Sequence, residues 1–322
     1  MKGGRLLIKF CVNPINQLVE ILQKGQMPYE NTIIIGDNSS GKSLLLRQFI
    51  KNMEDKKETY FIDAVNRVFD VTKITKAIEM PEYKETIIET RIQDQYFNIQ
   101  DSFNCYGTLT ERVEQIYSAF EEKVQVLFQQ LVNDGFKVLY GNPFGEVAFK
   151  EGIGQLSSGY QAMVRLLLEL TYYSEMGVKK NKLFNNWVVI DELDEFLSPR
   201  YASKIFGYLR ENFSGMRFII TTHSIDLVVA AQNANVIILD ENGYEVIDAN
   251  DYNSVSEVQR IFQRVFGGYN PINVEVESIL RRLMNNKINQ AWSKEDEKIL
   301  LELREEALSA SQKLIYRQIT EW

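Results

Sequence analysis

The chain has 322 residues, 45% of them hydrophobic and 25% charged, which suits one large globular core or two smaller ones and excludes a disordered chain. A formal net charge of −8 weighs against a dedicated DNA-binding domain, because phosphate recognition needs clustered Lys and Arg. The longest apolar runs, such as "TIII" and "LVVAA", are too short to span a bilayer, and Lys9 breaks Met1–Phe10 too early for a secretory signal.

From the N-terminus, "RLLIKF" and "TIIIG" read as buried strands on either side of an amphipathic stretch, Ile15–Leu22. Between "TIII" and the helical "LLLRQFIKNM" lies "GDNSSGKS", a fit to G-x-x-x-x-G-K-[ST] with Gly36, Gly41, Lys42 and Ser43. In such a loop, Gly36, Asp37, Asn38, Ser39, Ser40 and Gly41 curl their N–H groups around phosphate at a helix N-terminus. Lys42 would reach the β- and γ-phosphates of ATP, and Ser43 would ligate Mg²⁺. "TYFIDAVNRVF" opens as a strand, and its Arg67 is either phosphate-facing or a surface residue at the strand end. Residues 71–110 show no firm period.

Thr110–Asp134 is clearly periodic, with Val113, Ile116, Tyr117, Phe120, Val124, Leu127, Phe128 and Leu131 on one helical face. A helix over Glu111–Asp134 is about 36 Å long at ~1.5 Å per residue, a lid or docking element rather than a long coiled-coil arm. "GFKVLYGNPFGEVAFKEGIG" is irregular with strand character, and "GQLSSGYQ" then opens a helix through "AMVRLLLEL". "NWVVIDE" is a strand running into Asp191 and Glu192, placed to hold magnesium opposite Ser43 and to orient or deprotonate water. "SPRYASKIFGYLREN" is a helix with Pro199 near its start. "MRFIITTH", which ends at the only histidine, His223, and "NVIILD" are further strands, the latter turning at "DENG" into "YEVID". From about Asn253 the chain is helical and polar. Strands alternating with helices argue for a buried, largely parallel α/β sheet.

Five motifs in order, "GDNSSGKS", "LSSGYQ", "VVIDE", "LDEFLSP" and "TTHS", resemble those of the ABC class of ATPases. The likeness covers roughly residues 5–250. It implies an α/β, ABC-type P-loop ATPase head with a mostly parallel sheet, a helical lid insertion at about 71–150 and a helical C-terminal appendage at 251–322, read as partner-binding. It further implies that Ser157, Ser158 and Gly159 of the signature turn face the nucleotide of a second subunit. Glu192 and His223 would be catalytic, Asp191 and Ser43 metal ligands, and Asp194 the D-loop aspartate. The lid glutamine that helps bind magnesium stays open among Gln93, Gln95 and Gln100. Ser158 stands where a glycine is usual, and Tyr160 where transporters often carry glutamine.

The signature form and the lack of a membrane-coupling segment look more like the soluble RecF, SMC and OLD types. The expected protein is therefore a homodimer closed by ATP and Mg²⁺ that drives an effector partner, with bacterial anti-phage systems of the retron or Septu kind as the leading setting. A RecF-like DNA-repair or DNA-sensing ATPase and a slow ATP-dependent structural switch are the alternatives. For nucleic acid the local candidates are "VKKNK" at 178–182 and Arg281–Arg282. Cys11 and Cys105 are expected to be reduced thiols, consistent with a cytoplasmic location and no membrane partner.

Overall fold

A computed structural model describes residues 4–54, 58–76, 80–83, 112–177, 186–240, 243–251, 254–266, 292–303 and 310–321, with isolated positions between them and side chains from residue 14 onward. The chain divides into two compact units, Met1–Ile261 and Phe262–Trp322. Cys105, Gln95, Gln100 and the "VKKNK" segment lie outside the described residues, as does the side chain of Cys11.

In the first unit the elements run α1 (Gly4–Gln23), β1 (Thr32–Gly36), α2 (Lys42–Lys51), β2 (Thr59–Ile62), α3 (Tyr117–Val132), β3 (Phe136–Val138), β4 (Glu146–Phe149) and β5 (Gly152–Gln155). They continue as α4 (Ser158–Tyr172), β6 (Asn186–Ile190), α5 (Pro199–Asn212), β7 (Met216–Thr221), α6 (Ile225–Ala230), β8 (Asn235–Asp240) and β9 (Gly243–Asp248). Helix α7 (Val255–Val265) spans the division between the units.

Among the described residues the main sheet has six strands in the order β2-β6-β7-β1-β8-β9. Every pairing from β2 to β8 is parallel, and only β9 runs antiparallel, as a hairpin return from β8. Burial on both faces explains why "TIIIG" and "NWVVI" are continuous apolar runs and not alternating ones. On one face, Leu18 and Val19 of α1 and Leu45, Leu46 and Phe49 of α2 pack over Ile34, Phe61, Val189, Ile219 and Ile237. The period of two along β2 sends Tyr60 to the other face, where its hydroxyl donates to Glu169 Oε2 of α4 at 3.0 Å. Helix α3 packs on α4 through Phe120 against Tyr172 and Phe128 against Tyr160. Strands β3, β4 and β5 form a separate antiparallel sheet leading straight into α4.

One sequence expectation fails. "RLLIKF" is not a strand but the first part of α1, which continues through Pro14 into the Ile15–Leu22 stretch. A short apolar run has no period that separates a buried strand from a buried helix, and Pro14 reads as a break although a helix can carry it at the cost of one backbone bond.

In the second unit, Leu280, Leu283 and Ile319 form a small core with Trp292 and Ile299 packed against it. Helix α8 (Lys294–Glu302) begins with a capping box in which Ser293 Oγ accepts from Asp296 N and Asp296 Oδ2 accepts from Ser293 N. Helix α9 (Ala310–Glu321) follows it. Among the described residues no helix is long and apolar enough to cross a membrane.

Candidate functional site

Three neighbouring strands, β6, β7 and β1, end at Ile190, Thr221 and Gly36, so Asp191, His223 and the Gly36–Ser43 loop emerge along one edge of the sheet. Ligands in open α/β sheets sit outside this carboxyl edge.

The loop is shaped by close backbone approach. A Cβ on Gly36 would stand 2.7 Å from the Leu239 carbonyl, and Gly41, at φ 102, carries α2 from its N-cap position. Its missing Cβ would lie 2.9 Å from Ile15 Cδ1, so α1 packs directly against the phosphate loop. Ser39 also takes a left-handed φ of 70, and Ser40 N donates to Asp37 O at 3.1 Å. Lys42 is 8% exposed, with Nζ donating to the Gly36 carbonyl at 2.7 Å and the Asp37 carbonyl at 3.2 Å. Burial lowers the pKa of its ammonium, against the opposing carboxylates of Asp191, Glu192 and Asp37. Ser40 Oγ is buried without a hydrogen-bond partner in the protein.

Asp191 is 4% exposed. Its N–H donates to Ile62 O of β2 at 2.9 Å, and Oδ1 accepts from Thr221 Oγ1 at 2.6 Å. Burial raises its pKa, opposed by the Thr221 hydroxyl, Lys42 and Arg67. Glu192 turns out of the strand at a left-handed φ of 50 and places Oε1 3.4 Å from His223 Nε2. His223 holds the Glu192 carboxyl below its ordinary range, more strongly than burial raises it. Asp194 Oδ1 accepts from the Thr222 hydroxyl.

Ser157 caps α4 by accepting from Tyr160 N at 3.3 Å, and both Ser157 and Ser158 are exposed. Gly159 is half-buried, and a Cβ there would meet the Phe196 carbonyl at 3.0 Å, so the signature turn and the segment after Asp194 touch within one chain. Gln93 is helical and exposed, while Arg282 is an exposed helical residue of the second unit.

Sequence reasoning missed one pair of residues and left a third, Arg67, open. Thr221 and Thr222 hold Asp191 and Asp194 respectively, a role legible only as two hydroxyls closing an apolar strand just before His223. Arg67 is not at the surface, and its Nη1 is buried without a hydrogen-bond partner in the protein. It is 3% exposed and donates from Nη2 to the Asp191 carbonyl at 3.0 Å.

Among the described residues no cluster of three or more His, Cys, Asp and Glu side chains is placed to hold a metal alone. Ser43 in the first turn of α2 and Asp191 after β6 both offer oxygen donors, the ligand chemistry of a hard cation that shares its coordination with phosphate, as Mg²⁺ does. The glycine cradle fits the phosphate itself.

Strand order, a glycine-rich loop after β1, an acidic pair after β6, a histidine after β7 and a capped turn at the start of α4 are the arrangement that the resemblance to ABC-class P-loop ATPases implies. No known family model matches the sequence. Among curated proteins the chain is similar to the Septu protein PtuA of Bacillus thuringiensis, 24% identical over 156 residues that cover 47% of this chain and 34% of that protein. It is also similar to the Septu protein PtuA of Bacillus mycoides, 28% identical over 45% of this chain and 21% of that protein. The match thus spans about a third or less of these relatives. Solved structures that overlap it include the SMC head domain of Thermotoga maritima, with TM-score 0.37, 15% identity and coverage of 68% of this chain and 90% of that one. CbiO1 of Clostridium perfringens, part of an ABC transporter complex, gives TM-score 0.37 at 16% identity, covering 73% and 84%. At such scores the overlaps carry no argument about this chain.

Proposed function

We propose that this chain binds Mg-ATP between two copies of itself and hydrolyses it to gate an effector protein in bacterial anti-phage defence. The observation that carries the chemistry is the Glu192–His223 pair at 3.4 Å, set one strand from the phosphate loop. The similarity to Septu proteins supports the setting.

In this reading the loop amides and Lys42 bind the β- and γ-phosphates, and Lys42 exchanges its Gly36 and Asp37 carbonyls for phosphate oxygens. Ser43 and Asp191 would hold magnesium, which when bound neutralises phosphate charge. Glu192, kept ionised by His223, accepts a hydrogen bond from the attacking water and takes its proton. Ser157 and Gly159 of the second copy present a helix N-terminus to the γ-phosphate. The C-terminal region, 251–322, is the candidate effector contact.

Steady phosphate release that needs Mg²⁺ and is lost in Glu192→Gln tests this function. Tight ATP binding with no turnover in the wild-type chain would replace the enzyme with a nucleotide-dependent switch.

A further inference from the structure

The peptide joining Asp191 to Glu192 is held at both ends. Its carbonyl accepts from Arg67 Nη2 at 3.0 Å, and its N–H donates to Thr221 Oγ1 at 2.7 Å. The same Thr221 hydroxyl donates to Asp191 Oδ1. This peptide sits where the chain leaves β6 and Glu192 enters the left-handed region, a conformation that a non-glycine residue adopts only when its surroundings enforce it.

Arg67 is itself fixed. Asp63, at the end of β2, accepts through Oδ1 from Val65 N at 3.0 Å and Asn66 N at 2.7 Å, which folds the turn that carries Arg67 inward. Register pairs Ile62 of β2 with Ile190 of β6, so this turn lies directly beside the one containing Asp191 and Glu192. Around the buried guanidinium stand the carboxylates of Asp63, Glu169 and Asp191, with Arg165 as the opposing charge. Buried charge of this kind is retained only with partners, and here one partner is a catalytic-loop backbone carbonyl.

We propose that Arg67 is a positioning residue that, together with Thr221, clamps the Asp191–Glu192 peptide and so sets the direction of the Glu192 carboxylate relative to the phosphate loop. Arg67 acts through that peptide and does not touch nucleotide. The role rests on the ATPase reading given above for its effect on turnover, but not for its effect on cation affinity.

The test uses the full chain carrying Arg67→Gln, Arg67→Lys, Thr221→Val or Arg67→Gln with Thr221→Val. Three readouts are a fluorescent ATP analogue bound in EDTA, Mn²⁺ affinity of the nucleotide complex by electron paramagnetic resonance, and kcat with KM. Metal-free nucleotide affinity should stay near wild type in all four. In Arg67→Gln, kcat and Mn²⁺ affinity should each fall roughly 10- to 100-fold, with KM nearly unchanged, as for supporting residues behind a metal site. Arg67→Lys should recover part of the loss, and the double variant should be little worse than either single one, because both act on one peptide.

Equal loss of metal-free nucleotide affinity in Arg67→Gln would overturn the proposal in favour of direct phosphate contact. A folded Arg67→Gln with unchanged kcat and Mn²⁺ affinity, or additive effects in the double variant, would also overturn it. If Arg67→Gln does not fold, Arg67→Lys and Thr221→Val carry the same comparisons. A wild-type chain without turnover would remove the ATPase reading, yet the Mn²⁺ measurements would still decide the clamp.

Discussion

Asp191 and Glu192 are adjacent, and their surroundings push their carboxyl groups in opposite directions. Burial raises Asp191, whereas the His223 contact lowers Glu192. The half-buried Glu192 is therefore the more readily ionised of the two, while the Thr221 hydroxyl, Lys42 and Arg67 oppose the rise at Asp191. Replacing Glu192 with Gln keeps shape and removes the base, so single-turnover hydrolysis should slow about 10²- to 10⁴-fold while ATP still binds. Normal turnover in that variant would remove Glu192 from the chemistry. Lys42→Ala should act on the other quantity. Loss of one partner from a buried charge pair costs about 2–5 kcal/mol, so nucleotide affinity should drop by about 30-fold or more. Isothermal titration measures it, and retained affinity would contradict the phosphate-loop assignment.

Helix α4 links the signature turn to the interior of the sheet. Its Arg165 is 5% exposed and pairs with Glu169 at 3.0 Å and Asp101 at 2.8 Å, while Nη1 donates to the Val68 carbonyl at 3.1 Å. Burial raises the pKa of Glu169 and Arg165 opposes that, so truncating the arginine strands a carboxylate in the core. Arg165→Met should cost about 3–5 kcal/mol, seen as a lower urea midpoint. Adding Glu169→Leu should restore part of the loss, because the more deeply buried carboxylate is then gone while Asp101 still lacks its arginine and the Tyr60 hydroxyl its acceptor. An unchanged midpoint in Arg165→Met would show that the pair contributes nothing to stability.

The same helix marks where sequence suffices and where it does not. Its start was legible because Ser157 caps it and the apolar run "AMVRLLLEL" follows at once. The strands that lead into Gly36, Asp191 and His223 were legible for the same reason: an apolar run gives way to a residue with chemistry. Nothing local in "DAVNR" reveals that Arg67 turns inward, since its partners are Asp191 and Glu169, brought to it only by sheet pairing and helix docking. Thr221 is equally silent until β6 and β7 are side by side. The N-terminal helix escaped for a different reason, because a segment as short as "RLLIKF" carries no period long enough to choose between helix and strand.

At the scale of the whole molecule, the signature turn presents an exposed, capped helix end, while the phosphate loop and the acidic pair share one sheet edge. If one copy supplies the loop and another the signature, each lesion has a defined signature in solution. Ser157→Arg should leave ATP affinity little changed, because Gly36–Ser43 belong to the same chain, and should abolish hydrolysis. Lys42→Ala should lose both. Mixed together, the two variants can form a dimer with one site carrying both lesions and one carrying neither, since the intact loop of the first faces the intact signature of the second. Phosphate release should therefore reappear on mixing and rise with the fraction of mixed dimers. Size-exclusion of Glu192→Gln with ATP supplies the companion measurement, because a base-less site should hold the dimer closed. Loss of ATP binding by the single Ser157→Arg chain would mean that the turn folds against its own nucleotide or core, and the two-copy site would fall.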